Sequence, residues 1–581
     1  MIGARTLPVF AFCATLCAQG TGGAGPQIVV TLAPATSANA VVAMNVTLEI
    51  NDLDTNSKDN FALRIPVEFA GIHHVADRIE NLEASGPAGA LTLTQSDERP
   101  DAGGSLYWRR WKLDAPAPSQ LTVHYRARLD PPHPWPGPPF DLRSNAGGVS
   151  GAGFGFLVLP DSKNDFSIAL KWDLQNMPSG ARAVSSLGEG DIRTRGPIER
   201  LQACFYIAGP LGTYPDPFSA GVFRSAWLGD PPFDAKSEMK WSADAYLALH
   251  QFFFESGAQP FYFFMRAGKD NGSYGGAALA NSFLLFAPEA GTPMRDHSPP
   301  RLIIAHEITH HFVGGLTSPD GIEGSWFSEG LAEYYSRWVT FRAGLIPPSR
   351  FLEAVNESAQ GYYTNPVNTL PNDKIAVAFW RDKRAQTLPY QRGFLYFADT
   401  NSKLLAGSHG KISLDTLILP LIARRNSGEK VTPETWRTAV AKQLGSEGEH
   451  EFDSIILHGD LVVPASDAFG PCFERREAKM QLFDLGFDQH KSLDVDPRVI
   501  RDLEPDSPAE KAGLLNGDIV VSLDPPDIDR LRSHLTERIS LRVKRGNDIL
   551  PIDYLPRSSQ AVQGYEWTRR PSVPDNKCAA W

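Results

Sequence analysis

Ala305-His306-Glu307-Ile308-Thr309-His310 is the stretch on which the reading of this 581-residue chain turns. A helical turn takes 3.6 residues, so histidines at i and i+4 project from one face. Both imidazoles can then reach a single Zn²⁺ at roughly 2.0–2.1 Å. Glu307 follows the first histidine and is angled toward a bound water rather than the ion, where a general base belongs. Pro299-Pro300 before the stretch and Gly314-Gly315 after it frame a helix. Its apolar residues Leu302, Ile303, Ile304, Ile308, Phe312 and Val313 predict deep burial. His311 points away from the His306/His310 face.

A third ligand has to come from elsewhere. Glu329, eighteen residues beyond His310, opens the run Glu329-Gly330-Leu331-Ala332-Glu333-Tyr334-Tyr335-Ser336-Arg337-Trp338, which reads as a helix ending before Gly344. Glu333 lies one turn beyond Glu329 on the same face. It is either an ordinary surface carboxylate or the acceptor for the second ring N–H of a zinc histidine, fixing its tautomer. Three protein ligands leave a fourth position for water, which marks a catalytic rather than a structural zinc site. The expectation is a metallopeptidase carrying one Zn²⁺ per chain.

The HExxH-x18-E arrangement, with its glutamate in a Glu-Gly-Leu-Ala context, resembles the gluzincin peptidases. Within them it is most similar to the glycyl aminopeptidase family, with aminopeptidase N as a more distant relative. That resemblance implies a multidomain α+β chain: an N-terminal β-sandwich-like domain, a thermolysin-like and mostly helical catalytic domain, and a C-terminal PDZ domain. The boundaries expected here are 27–215, 216–462 and 475–557. Short alternating runs such as Val41–Ile50 and Leu121–Ala127 agree with a β-rich N-terminal part.

Two further segments bear on catalysis through the same resemblance. Pro389-Tyr390-Gln391-Arg392-Gly393 is similar to the segment that supplies a phenol to the active site of related gluzincins, and an O–H at Tyr390 would stabilise a tetrahedral intermediate. Tyr274-Gly275-Gly276-Ala277-Ala278 lies where the family has a Gly-rich edge strand that pairs with the substrate backbone. The family's strand carries a glutamate for the free amino terminus, and Ala278 stands in its place. Aminopeptidase-like action is expected, with an endopeptidase or broad-specificity peptidase as the alternative. A non-catalytic protein that holds chain termini on its PDZ domain is the reading from a different class.

Ser507-Pro508-Ala509-Glu510-Lys511-Ala512-Gly513-Leu514 through Asn516-Gly517-Asp518 resembles the signature of bacterial PDZ domains, and Leu485-Gly486-Phe487 their carboxylate-binding loop. Backbone N–H groups of such a loop capture a chain terminus while an adjacent strand edge adds a peptide strand. The expected partners are therefore a peptide or protein substrate and a chain terminus.

Net charge −11 argues against nucleic acid as a partner. After the N-terminus no apolar run reaches the eighteen or more residues of a membrane-spanning helix. Residues 1–20, with Arg5 ahead of Leu7–Ala18, resemble a signal peptide, so an exported protein is expected. Of the five cysteines, three then remain: Cys204, Cys472 and Cys578. Cys472 and Cys578 would brace the PDZ region from both ends, and Cys204 would be a small buried hydrophobe.

Overall fold

The computed structural model describes residues 25–579, apart from 39, 54–60, 70–71, 73, 99–106, 130–138, 254–259, 269–273, 293–297, 318–320, 380–381, 494, 496 and 526–527. The expected signal segment lies outside the described residues. The chain divides into two compact units. One holds the residues up to 243 together with 258–292, and the other holds 244–257 together with everything from 293 onward. Helix α1 (Ala235–Phe253) begins in the first and ends in the second.

The first unit is β-rich because its strands alternate apolar and polar side chains. Its largest sheet runs Ile192–Pro197, Asp165–Trp172, Gln27–Ser37, Ala40–Asn51, Gln120–Arg128, Ile79–Gly86, Gly89–Leu91. The register lines Leu170, Val30, Leu48 and Val123 into one row across four strands. All four side chains are fully buried, and burial of each stabilises the fold by about 1.5–3 kcal/mol. A second sheet of five strands runs Gly212–Tyr214, Phe223–Leu228, Phe261–Gly268, Ser282–Pro288, Gly275–Leu279. It shares the apolar core of the β-rich region through Tyr262, Phe264, Ala277 and Leu284.

Helices dominate the second unit. They are α2 (Arg301–Val313), α3 (Ser325–Arg342), α4 (Pro348–Tyr363), α5 (Asn372–Ala378), α6 (Lys383–Gly407), α7 (Leu414–Asn426) and α8 (Pro433–Glu451). α2 starts after Pro300 and stops at Gly314, whose φ of 52° few other residues adopt. The Arg425 side chain donates to the carbonyl oxygens of Phe312, at 3.1 Å, and Val313, satisfying two acceptors that a helix end leaves open. α3 begins at Ser325, a full turn earlier than the expected start at Glu329. Trp326 and Phe327 on that extra turn pack on Phe397 of α6 and Trp436 of α8, so tertiary burial extends the helix.

The last part of this unit is a stem that carries a small module. Phe473–Phe483 pairs antiparallel with Arg557–Arg569 from Phe473↔Arg569 to Phe483↔Arg557. Cys472 and Cys578 form a disulfide at the open end of the stem, and Cys204 is buried as a free thiol in the β-rich unit, both as the sequence suggested. The module between the strands holds a three-stranded sheet, Ile519–Asp524, Ile539–Arg545, Asp548–Tyr554. It has its own core, which includes Leu485, Phe487, Leu514, Leu541 and Ile552. Gly486 turns with φ 79° at the expected carboxylate loop, and the residues after Phe487 form a short helix, Gln489–Leu493. Among the described residues, no helix is long and apolar enough to cross a membrane.

Candidate metal centre

α2 and α3 build the centre between them. His306 Nε2 lies 3.0 Å from His310 Nε2 and 3.2 Å from Glu329 Oε2, and His310 Nε2 lies 3.1 Å from the same oxygen. One atom from each of the three expected ligands thus faces a common point, and all three side chains are buried. The i,i+4 spacing brings the two rings edge to face on one side of α2, with centroids 4.7 Å apart.

Glu333, one turn beyond Glu329, is buried rather than on the surface. Its Oε1 is 3.1 Å from His306 Nδ1, within hydrogen-bond distance though not aligned for a full hydrogen bond. Burial alone would raise its pKa, but Arg337 and the His306 ring outweigh that and hold it at about 2. Glu307 is buried, and its Oε1 has no hydrogen-bond partner among the described residues. Burial pushes its carboxyl up to about 7 against the opposing pull of the two imidazoles. The half-buried Tyr390, on α6, lays its ring beside that of His306, with centroids 5.8 Å apart and planes 19° from parallel.

The electrostatics of this cluster fit a divalent cation. Buried around the ligand atoms are three carboxylates (Glu307, Glu329, Glu333) and one guanidinium (Arg337), which leaves two negative charges unbalanced when the imidazoles are neutral. Burial lowers the His306 pKa, yet Glu329 and Glu333 together raise it to about 10. Glu329 Oε1 is likewise buried with no hydrogen-bond partner among the described residues. Two imidazoles, one carboxylate and an open fourth position form a zinc donor set of the catalytic kind.

Helix packing delivers Tyr390. Gly330, next to the ligand Glu329, meets Gly393, three residues past Tyr390: a Cβ on Gly330 would stand 2.6 Å from Gly393 Cα. The sequence showed both glycines but gave no sign that they touch. Arg337 also had no role assigned to it. Its only local sequence cue is the spacing to Glu333, one helical turn earlier.

Gly275 and Gly276 are in the first unit, on the strand Gly275–Leu279 at the edge of the five-stranded sheet described above. There a Cβ would run into the Phe286 ring at 2.3 Å or the Phe283 ring at 2.1 Å, so packing by itself explains both glycines. Leu485, Gly486 and Phe487 form a loop in the C-terminal module. The Gly486 N–H already donates to Asp484 Oδ1 at 2.9 Å.

Residues 301–386, from α2 into the start of α6, match the family described as M61 glycyl aminopeptidase. The sequence matches no curated protein. In fold, the chain is similar to an aminopeptidase N family protein from Idiomarina loihiensis, at 15% identity and a TM-score of 0.67, over 96% of this chain and 100% of that one. It also aligns with an M1 zinc metallopeptidase from Deinococcus radiodurans, at 16% identity and a TM-score of 0.45, over 76% of this chain and 95% of the other. The fold is thus multidomain α+β, with a β-rich N-terminal part and a helical part, like that of the aminopeptidase N family protein. The chain is a zinc metallopeptidase, aminopeptidase-like in type.

Proposed function

We propose that the chain hydrolyses peptide bonds at this centre, with Glu307 as general base and Tyr390 as the donor to the developing oxyanion. The observation that carries the reading is the convergence of His306, His310 and Glu329 within 3.0–3.2 Å, beside a buried, unpartnered Glu307 oxygen and the Tyr390 ring. His306, His310 and Glu329 would hold the zinc. When bound, the ion supplies Lewis acidity and a water whose pKa falls from about 16 toward 7. Glu307 takes a proton from the attacking water and returns it to the leaving amine. The Tyr390 O–H donates to the carbonyl oxygen as charge grows on it. Glu333, 3.1 Å from His306 Nδ1, attracts the ring proton to that nitrogen, which leaves Nε2 free to ligate.

Substrates in this reading are peptides. Gly275–Leu279 is an edge strand among the described residues, and Ala278 stands on it where the resemblance would put the family's acid. This favours internal or broad cleavage as a second reading. Zinc-loaded protein given matched free and N-acetylated peptides tests the pair. Stepwise loss of N-terminal residues from free peptides alone supports an aminopeptidase, and internal cuts in blocked peptides support the second reading. No cleavage despite stoichiometric zinc overturns both.

The C-terminal module reads as PDZ-like, supported by its separate core and the φ > 0 glycines at 486, 513 and 517. Its ligand would be a chain terminus, although Asp484 competes for the Gly486 N–H. Export fits the Cys472–Cys578 disulfide and the character of residues 1–20.

A further inference from the structure

The geometry points to Arg337 as a positioning residue for the metal centre: it fixes the Glu333 carboxylate on His306 and thereby sets how tightly the ion is held. The inference rests on the zinc-peptidase reading. Arg337 is buried on α3, one turn past Glu333. Its Nη1 meets Glu333 Oε2 and donates to the Glu333 carbonyl oxygen at 2.8 Å. Its Nη2 donates to Ser358 Oγ of α4 at 3.2 Å, and its guanidinium lies over the Phe394 ring of α6, 4.7 Å from the centroid. Three helices therefore hold one side chain, and that side chain holds the carboxylate beside His306.

Neither ring's Nδ1 makes a full hydrogen bond among the described residues, but that of His306 has the Glu333 carboxylate 3.1 Å away. That carboxylate braces His306 from behind, and Arg337 is the end of the brace. A planar guanidinium suits this position, because it contacts a carboxylate, a carbonyl and a hydroxyl at once while stacking on an aromatic face. A carboxylate buried without this cation would turn away toward another donor, and the His306 ring would lose its fixed orientation.

Zinc affinity, measured by competition with a chromophoric chelator, tests this without relying on turnover. Arg337→Met and Glu333→Gln should each weaken zinc binding about 10–100-fold, as loss of an outer partner of a ligand does. The double variant should be no weaker than either alone, because both act through one contact. If Arg337→Met fails to fold, Arg337→Lys keeps the charge without the fork and should weaken zinc by a smaller factor. Wild-type zinc affinity in a folded Arg337 variant, or losses that multiply in the double variant, would overturn the inference alone. Wild-type protein that binds no zinc would overturn the zinc-peptidase reading as well.

Discussion

Gly330 of α3 and Gly393 of α6 touch backbone to backbone, and this contact sets the distance between the helix that carries Glu329 and the helix that carries Tyr390. A Cβ at Gly393 would come within 2.4 Å of the Trp326 carbonyl oxygen and 2.8 Å of Gly330 Cα. Backbone cannot yield as a flexible side-chain tip can. Gly330→Ala or Gly393→Ala should therefore push the helices apart, lower stability by about 1–3 kcal/mol and reduce turnover more than zinc content. Urea denaturation, zinc assay and peptide hydrolysis on the same samples would check this.

Glu307 is the simplest residue to probe chemically. Glu307→Gln keeps the shape and removes the base, so zinc content should remain one per chain while turnover falls about 10²–10⁴-fold. An active Gln variant would refute the assignment of the base.

Asp141 gives a pH-dependent prediction in the β-rich unit. It is buried, with Oδ1 2.6 Å from Arg266 Nη2 and Oδ2 against Arg143 Nε. Burial would raise its pKa, but the two arginines outweigh burial and hold the carboxyl below its usual range. The sign follows from linkage: this stabilisation is present above the unfolded value near 3.9 and is lost as pH falls through the lower folded value. Asp141→Asn should cost about 3–5 kcal/mol at neutral pH by leaving Arg266 buried without its ion-pair partner. The gap to wild type should narrow below about pH 4, as read by denaturant titrations across pH.

The disulfide closes a span of 106 residues. Replacing Cys472 and Cys578 with alanine should lower the stability of the C-terminal part by about 2–5 kcal/mol. Zinc content should not change, because neither cysteine touches the ligand set. Thermal unfolding with and without reductant would show the same effect in the unmutated protein.

The metal ligands were legible because their information is local. His306 and His310 share a helix face by spacing alone, and Glu329 follows at a set distance. Tyr390 was readable through its Pro-Tyr-x-Arg-Gly setting. Arg337 and the Gly330–Gly393 contact were not, since each depends on how α3 meets α4 and α6, and helix packing leaves no fixed interval in the sequence. The start of α3 was placed late for the same reason: Trp326 and Phe327 are helical because of partners seventy and more residues away.

The stem at the C-terminal end has an evolutionary implication. Phe483 and Arg557 stand opposite each other where the two strands open into the module. The stem is therefore a hairpin whose tip has been replaced by a whole folding unit, with entry and exit one strand spacing apart. Such a joint permits exchange of residues 484–556 for another small domain with adjacent termini while the strands stay anchored on α4 through Asn356 and Trp567, provided the newcomer also replaces His534, which faces the buried Glu357 of α4 at 3.4 Å. Variation among relatives would then concentrate at this joint, where a new recognition surface can be gained or shed while the helices around His306, His310 and Glu329 stay as they are.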